Sequence, residues 1–393
     1  MSKWRKKQLQ EIAFLRPTET LKKGDIAPNI PMANIKEFQR DVVKIDYSEF
    51  RGGTKFRNGD TLLAKITPCL ENGKTAFVNC LQEDEIGFGS TEFIVLRAKE
   101  NIDERFLYYL SISPEFRKQA ISLMEGTSGR KRVNENALKI SDFLIPDFEE
   151  QRKIANILSA IDDKIQINNQ INQELEAMAK TLYDYWFVQF DFSDQNGKPY
   201  KSSGGKMVYH PELKREIPEG WGVESVGNLL DKVTKAEKIE NNLIEFIGEI
   251  PVIDQSQKYI AGFTNNENGL IQPQKGHVIF GDHTRVVKYI NFDYARGADG
   301  TQVLISKNEH ISNVLLYHMI EDFDLSNYGY ARHFKFLKEK IVIVPDKEVS
   351  SKFETQANVI YEKIKNNIFE NQELTRLRDW LLPMLMNGQV KVE

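Results

Sequence analysis

The tetrapeptide NQEL stands at Asn172–Leu175 and again at Asn371–Leu374, 199 residues later. Four letters recur by chance in a chain of 393 residues, so the neighbourhood decides. Slid against itself by 199 positions, the sequence brings Pro146-Asp147 onto Pro345-Asp346, Lys164-Ile165 onto Lys363-Ile364, Leu138 onto Leu337 and Leu182 onto Leu381 without a gap. Apolar Phe143-Leu144-Ile145 overlies Val342-Ile343-Val344. With small gaps the match runs upstream, Leu107-Tyr108 onto Leu316-Tyr317, Ser90-Thr91 onto Gly300-Thr301 and Trp4 onto Trp221. The chain reads as a tandem duplication, each repeat a globular part followed by a long helix, and such a repeat governs the fold before any motif does.

The repeats run from about Trp4 to Phe190 and from Trp221 to Gly388. The resulting boundaries are 1–146 for a first globular domain, 147–190 for a central helical spacer, 191–220 for a linker, 221–345 for a second globular domain and 346–388 for a C-terminal helical spacer. The stretch 191–220 earns its assignment from Gly, Ser, Pro and Lys without apolar periodicity.

A chain of this length holds two or more ordinary domains. Its 53 Lys+Arg against 57 Asp+Glu leave a net charge of -4, so any site for a polyanion is local. Two cysteines, Cys69 and Cys80, are too few for a secreted disulfide framework and lack zinc-site spacing. With no apolar run of membrane-spanning length and no apolar core behind the charges of MSKWRKKQLQ, a cytoplasmic protein without membrane contact is expected.

Asp147 followed by Glu150 resembles a capping box, which starts a helix at Phe148. Sevens counted from Ile161 give Asn168, Leu175 and Leu182; a companion register gives Ile157, Lys164, Ile171, Met178 and Tyr185. The second copy reads Ile360, Asn367, Leu374 and Leu381, with Ile364, Ile368 and Leu377 alongside and a cap at Ser351 with Glu354. An amphipathic core helix is the plain alternative. Asparagine at the equivalent seam position of both copies favours paired helices, since a seam asparagine fixes register at some cost in stability. A return of the chain through a second globular part makes the pairing antiparallel. The expected fold is α+β: two similar mixed domains joined by two long antiparallel coiled-coil helices in a pseudo-twofold tandem repeat.

In the first globular part, residues 126–134 place Arg130, Lys131 and Arg132 beside Ser128 in a glycine-bracketed loop, chemistry suited to phosphate and guanine. The corresponding stretch of the second, YGYARHFKF, interleaves Tyr328, Tyr330, Arg332, His333 and Lys335. A second loop there carries His283, Thr284 and Arg285; its rough counterparts are Lys65, Thr67 and Lys74, with Ser90 and Thr91 heading an adjacent strand. Solvated surface turns are the alternative for each. Together these residues form the expected DNA-binding set. Gly73-Lys74-Thr75 mimics the end of a phosphate-binding loop, but Pro68 stands where its upstream glycine belongs. Neither metal-ligand spacing nor a nucleophile motif occurs, and the tetrapeptide of amino-methylating DNA enzymes is missing, so no catalytic or metal residue is expected.

IPDFEEQRKIANILSAIDDKIQINNQINQELEAMAKTLYDYWFVQFDF, then NGKPYKSSGGKMVYHPELKREIPEGW, then RLRDWLLPMLMNGQV strongly resemble the specificity subunit of type I restriction-modification enzymes, over essentially the whole chain. The second helix departs from the family pattern, with Lys347-Glu348-Val349-Ser350 against Phe148-Glu149-Glu150-Gln151 in the first. The resemblance implies two target-recognition domains that read the halves of a split, asymmetric site in double-stranded DNA, with the helices setting the gap. It implies two methyltransferase subunits carrying S-adenosylmethionine and the adenine-methylating centre, and motor-nuclease subunits working with ATP and Mg. This chain is implied to be non-catalytic and to hold no cofactor. Trp186-Phe187-Val188 and Leu381–Met386 are expected either as docking surfaces for those subunits or as helix-end core. A chain ended near Lys206 is expected to pair with itself through the seam. A helical scaffold that never touches DNA, or a DNA enzyme with an unfamiliar centre, are the rival readings.

Overall fold

Short apolar runs between turn residues become strands, and the two heptad segments become helices. In the computed structural model residues 4–392 are described, apart from positions 43, 128, 232, 234, 235, 246, 298, 299, 330 and 331. The chain divides into two units, residues 1–168 with 370–393, and residues 169–369. Each mixes strands and helices. None of the described helices is long and apolar enough to cross a membrane.

In the first unit Thr61–Ala64 is buried at every position, which places it inside a four-stranded antiparallel sheet. The spatial order is Ala13–Leu15, Phe93–Ala98, Thr61–Ala64 and Thr75–Phe77. A second sheet runs Asp46–Glu49, Ile26–Ile30, Gly87–Gly89, Thr54–Phe56, its middle pair parallel through Asn29 opposite Phe88. A Cβ on Gly89 would stand 2.3 Å from the Ile30 carbonyl oxygen, so glycine alone permits that approach. Helix Glu104–Ile112, capped by Asp103, contributes Phe106, Tyr108 and Tyr109 to the core.

The second unit follows the same plan with different residues. His277–Gly281 lies between Val287–Ile290 and Thr301–Leu304. A second sheet again contains one parallel pair, Ile250–Ile253 with Tyr294–Arg296. Strand register confirms the duplication: Arg5 pairs with Ile145, and Gly222 with Val344, one residue after Trp4 and Trp221 respectively and 199 residues apart at the partner.

Residues 191–220, expected as a linker, are folded. Met207–His210 and Arg215–Pro218 form a hairpin, Ile217 is buried, and the Phe192 ring stacks on Tyr200 and Trp221 at 4.7 and 5.0 Å. A few aromatic contacts at irregular spacing fold this segment, which is why apolar periodicity did not reveal it.

The first long helix, Phe148–Tyr183, begins where the Asp147 carboxylate accepts the Glu150 amide at 3.0 Å, and ends in a π turn, Asp184–Val188. The second, Lys347–Met386, is capped by Asp346, whose carboxylate accepts the Val349 amide at 2.8 Å; the Ser351–Glu354 cap is therefore corrected. At 36 and 40 residues they are about 54 and 60 Å long.

Candidate nucleic-acid interface and helical seam

In the first unit, Met124–Glu125 and Arg132–Val133 form a two-stranded ladder that carries the basic loop. The Val133 amide donates to the Lys65 carbonyl at 2.9 Å, and the Thr67 amide to the Lys131 carbonyl at 3.0 Å. Lys65, Thr67 and residues 130–132 thus meet at one edge. The Lys65 amide donates to the Glu92 carbonyl, which brings Ser90 and Thr91 alongside; the Ser90 hydroxyl accepts the Glu92 amide at 3.1 Å. Thr91 also lines a groove of about 340 Å³ with Arg16, Glu19, Thr54 and Lys55.

The cations here are not equivalent. Arg132 is forked onto Glu92, at 3.0 Å from Nε and 2.7 Å from Nη2, and its hydrogen bonds hold the Glu92 carboxyl below the usual carboxylate range. Lys65 lies 3.5 Å from Glu135, which also takes Arg16 at 2.6 Å. Arg130 and Lys131 are exposed and form no ion pair among the described residues. Lys74 is not part of the cluster: its ammonium donates to the Met32 carbonyl at 3.1 Å and secures another loop. Ser128 lies outside the described residues.

The second unit repeats the construction. The His333 amide donates to the Asp282 carbonyl at 2.9 Å, the counterpart of Val133 on Lys65, and the Phe334 amide to the Asp282 carboxylate at 2.8 Å. Because His333 takes the place of buried Val133, it is itself only 3 % exposed, its Nδ1 3.0 Å from the Asp282 carbonyl. It is removed from the exposed readers. His283, Thr284 and Arg285 are exposed; the Thr284 hydroxyl donates to the Gln255 carbonyl at 2.6 Å, and Arg285 has a positive φ of 65°. Arg332 and Lys335 are exposed nearby. Tyr328 ends a short helical turn, Ser326–Tyr328, and Tyr330 lies outside the described residues.

Beneath this loop Lys288 is buried, its ammonium donating to the Asp254 carbonyl at 2.8 Å. Burial pushes its pKa down to about 8 against the opposing pull of Asp254. Unfolded chain retains that proton to about pH 10, so between roughly pH 8 and 10 the unfolded state binds more protons and stability rises with pH, by at most about 1.4 kcal/mol per unit. The denaturant midpoint of the second unit is expected to increase from pH 7.5 to 9.5, and a Lys288→Met chain to lose that increase.

The seam follows one strict alternation of threes and fours: Ile154, Leu158, Ile161, Ile165, Asn168, Asn172, Leu175, Ala179, Leu182, Trp186. In the second helix it is Phe353, Ala357, Ile360, Ile364, Asn367, Asn371, Leu374, Arg378, Leu381, Leu385. Asn168 donates to Asn371 at 2.9 Å and to Glu370 at 2.8 Å; Asn367 donates to Asn172 at 2.8 Å. Rising numbers on one helix meet falling numbers on the other within each unit, Asp162 on Arg378 then Asn168 on Asn371 in the first, Asn172 on Asn367 then Trp186 on Phe353 in the second, which is antiparallel pairing.

The companion register was misplaced by one residue. Ile171 and Leu377 are 37 % and 44 % exposed, and the seam instead uses Asn172 and Arg378. Ile157 is partly buried against the first core. Polar and small residues at true seam positions hid the register from an apolar count. Trp186, Phe187, Leu382, Leu385 and Met386 are buried and belong to the helix-end cores rather than to an open surface.

Equivalent acids tie each lobe to its following helix. Buried Arg40 reaches Asp163 at 2.7 Å; 199 residues on, Glu362 accepts from Asn291 at 3.1 Å. Burial alone lowers the Arg40 pKa, but Asp41 and Asp163 outweigh it and hold the group above its ordinary value. Nothing in the sequence singled Arg40 out, because its partner lies 123 residues away.

Residues 1–177 match the model of the type I restriction modification DNA specificity domain. The chain is 25% identical over 325 residues to the type I restriction enzyme MjaIX specificity subunit of Methanocaldococcus jannaschii, covering 75% of this chain and 71% of that one. It is 26% identical over 414 residues to the type I restriction enzyme HindI specificity subunit of Haemophilus influenzae, covering 85% and 87%. In fold it is similar to the type I restriction-modification system S subunit from M. genitalium, at TM-score 0.54 and 16% identity over 98% of this chain and 96% of that one.

Proposed function

We propose that this chain works as the type I restriction-modification specificity subunits to which it is similar, its two lobes each reading one half of a bipartite, asymmetric site in double-stranded DNA. The supporting observation is the repeated hydrogen bond from Val133 to Lys65 and from His333 to Asp282, which brings a cation-bearing loop against a strand-end loop in both units. One scaffold thus presents different side chains twice: Arg130, Lys131, Thr67 and Thr91 in the first unit, His283, Thr284, Arg285, Arg332 and Lys335 in the second. Different readers at equivalent places make an asymmetric site. Cations at these edges position the duplex through phosphates, and the forked or polar groups face base edges.

The lobes are the target-recognition domains, and the paired helices act as the spacer. Ile171 and Met178 on the first long helix and Tyr185 in the π turn that ends it, exposed at heptad intervals, offer an apolar stripe to a separate methyltransferase subunit. Two such subunits carry S-adenosylmethionine and the methylating chemistry, and motor-nuclease subunits carry ATP and Mg. This chain contributes recognition and no catalytic group.

Assembled with its methyltransferase, the chain is expected to bind one bipartite duplex at least a thousandfold better than random duplex. Equal affinity for all duplexes, with little salt dependence, would instead identify a protein scaffold. The spacer has its own test. Seven residues added to each helix preserve the heptad seam and add about 10 Å, so mapped methylated adenines are expected to move apart by about three base pairs; an unchanged gap rejects the spacer role.

A further inference from the structure

The duplication allows each helix contact to be compared with its own copy. Under the 199-residue shift Asn168 becomes Asn367 and Asn172 becomes Asn371, so the amide pairs Asn168–Asn371 and Asn367–Asn172 are one contact made twice. That contact is self-complementary. If the first long helix met a second copy of itself in the same antiparallel register, Asn168 would face Asn172 of the copy and keep its amide–amide bond, losing only the bond to Glu370, whose repeat-equivalent is Ile171. The asparagines set register without choosing which helix pairs with which.

Asp162 and Arg378 behave differently. Asp162 is 3 % exposed and accepts from Arg378 Nη1 at 2.9 Å and from the Tyr109 hydroxyl at 2.7 Å. The repeat-equivalent positions hold Tyr361, Ala179 and His318, whose Tyr361 hydroxyl and His318 Nε2 lie 3.1 Å apart. In a pair of like helices, Asp162 would face alanine at 179 of the copy, so two carboxylates would be buried without a cation. A second long helix against its own copy would set Arg378 opposite Tyr361, with only the neighbouring Asp379, now 2.8 Å away, to answer its charge.

We infer that the Asp162–Arg378 pair makes the two long helices of this chain choose each other over copies of themselves, a bias against assembly from like halves. A buried polar or charged group can specify partners where an apolar seam would accept several. The bias opposes self-pairing of a chain ended near Lys206, and it stands whether or not the lobes read DNA.

Two full-length copies bearing different tags are co-expressed, one tag is captured from the soluble fraction, and the other is counted. Moving the arginine to its equivalent position, Ala179→Arg with Arg378→Ala, leaves Asp162 answered only by a first helix from another chain. Co-capture is expected to rise at least tenfold over the parent, with light scattering showing a dimer. Asp162→Leu with Arg378→Leu keeps the seam filled but removes the bias, and intermediate co-capture is expected; this variant decides the matter if the first is insoluble. Co-capture no higher than the parent's in the soluble variant overturns the inference.

Discussion

Replacing Arg378 by alanine is expected to destabilise the first unit by about 3–5 kcal/mol, roughly 6–20 °C in its midpoint. The magnitude follows from what remains. Asp162 is 3 % exposed, so its carboxylate has no route to water once the guanidinium is gone, and the Tyr109 hydroxyl replaces only part of the loss. Arg40→Ala offers a control of similar chemistry. That guanidinium is equally buried, but its partners Asp163 and Asp41 are 58% and 21% exposed and can hydrate, so about 1–2 kcal/mol is expected. Removing both members of the deeper pair, Asp162→Leu with Arg378→Leu, should cost far less than either single change, because no charge is stranded. Thermal or urea unfolding, followed by probes in each unit since the units need not melt together, measures all three. A double variant as unstable as Arg378→Ala would mean that lost packing, and not a stranded carboxylate, sets the cost.

The same residues explain how far the sequence could be read. The repeat, the two long helices and the first seam register were legible because Ile161, Leu175 and Leu182 are apolar and separated by multiples of seven. The partner register was not, because Asn172, Ala179 and Arg378 occupy it, and an apolar count slides to the exposed Ile171, Met178 and Leu377. Charge composition could locate the basic loops but not sort their members. Arg132 and Lys65 are engaged by Glu92 and Glu135, at sequence separations of 40 and 70 that no local pattern encodes. His333 shows the complementary failure. One residue of gap, a shift of 200, lays Gly329 over Gly129 and Arg332 over Arg132 and so sets His333 over Val133, an apolar position; that correspondence signals burial more reliably than its basic, aromatic neighbourhood signals exposure.

Sorting the loop's cations leads to the second large effect. Arg130→Ala with Lys131→Ala, in the assembled methyltransferase complex, is expected to reduce the slope of log affinity against log salt by about 1.8 and to weaken binding roughly 30-fold near 0.15 M salt. Both side chains are exposed and lack an ion pair among the described residues, so a phosphate can take each without displacing a partner. Arg132→Ala should behave differently. Arg132 is committed to Glu92, so its loss removes little counterion release but strands an exposed-edge carboxylate beside the duplex. Affinity should fall while the salt slope changes by less than half a unit. Glu92→Gln is the opposite change: it frees the Arg132 fork for DNA and should raise the slope by about one. A double variant at Arg130 and Lys131 that keeps the parent slope would place the duplex elsewhere on the unit. Equal slopes for Arg132→Ala and for that double variant would show that the Glu92 fork opens on binding, making all three cations phosphate contacts.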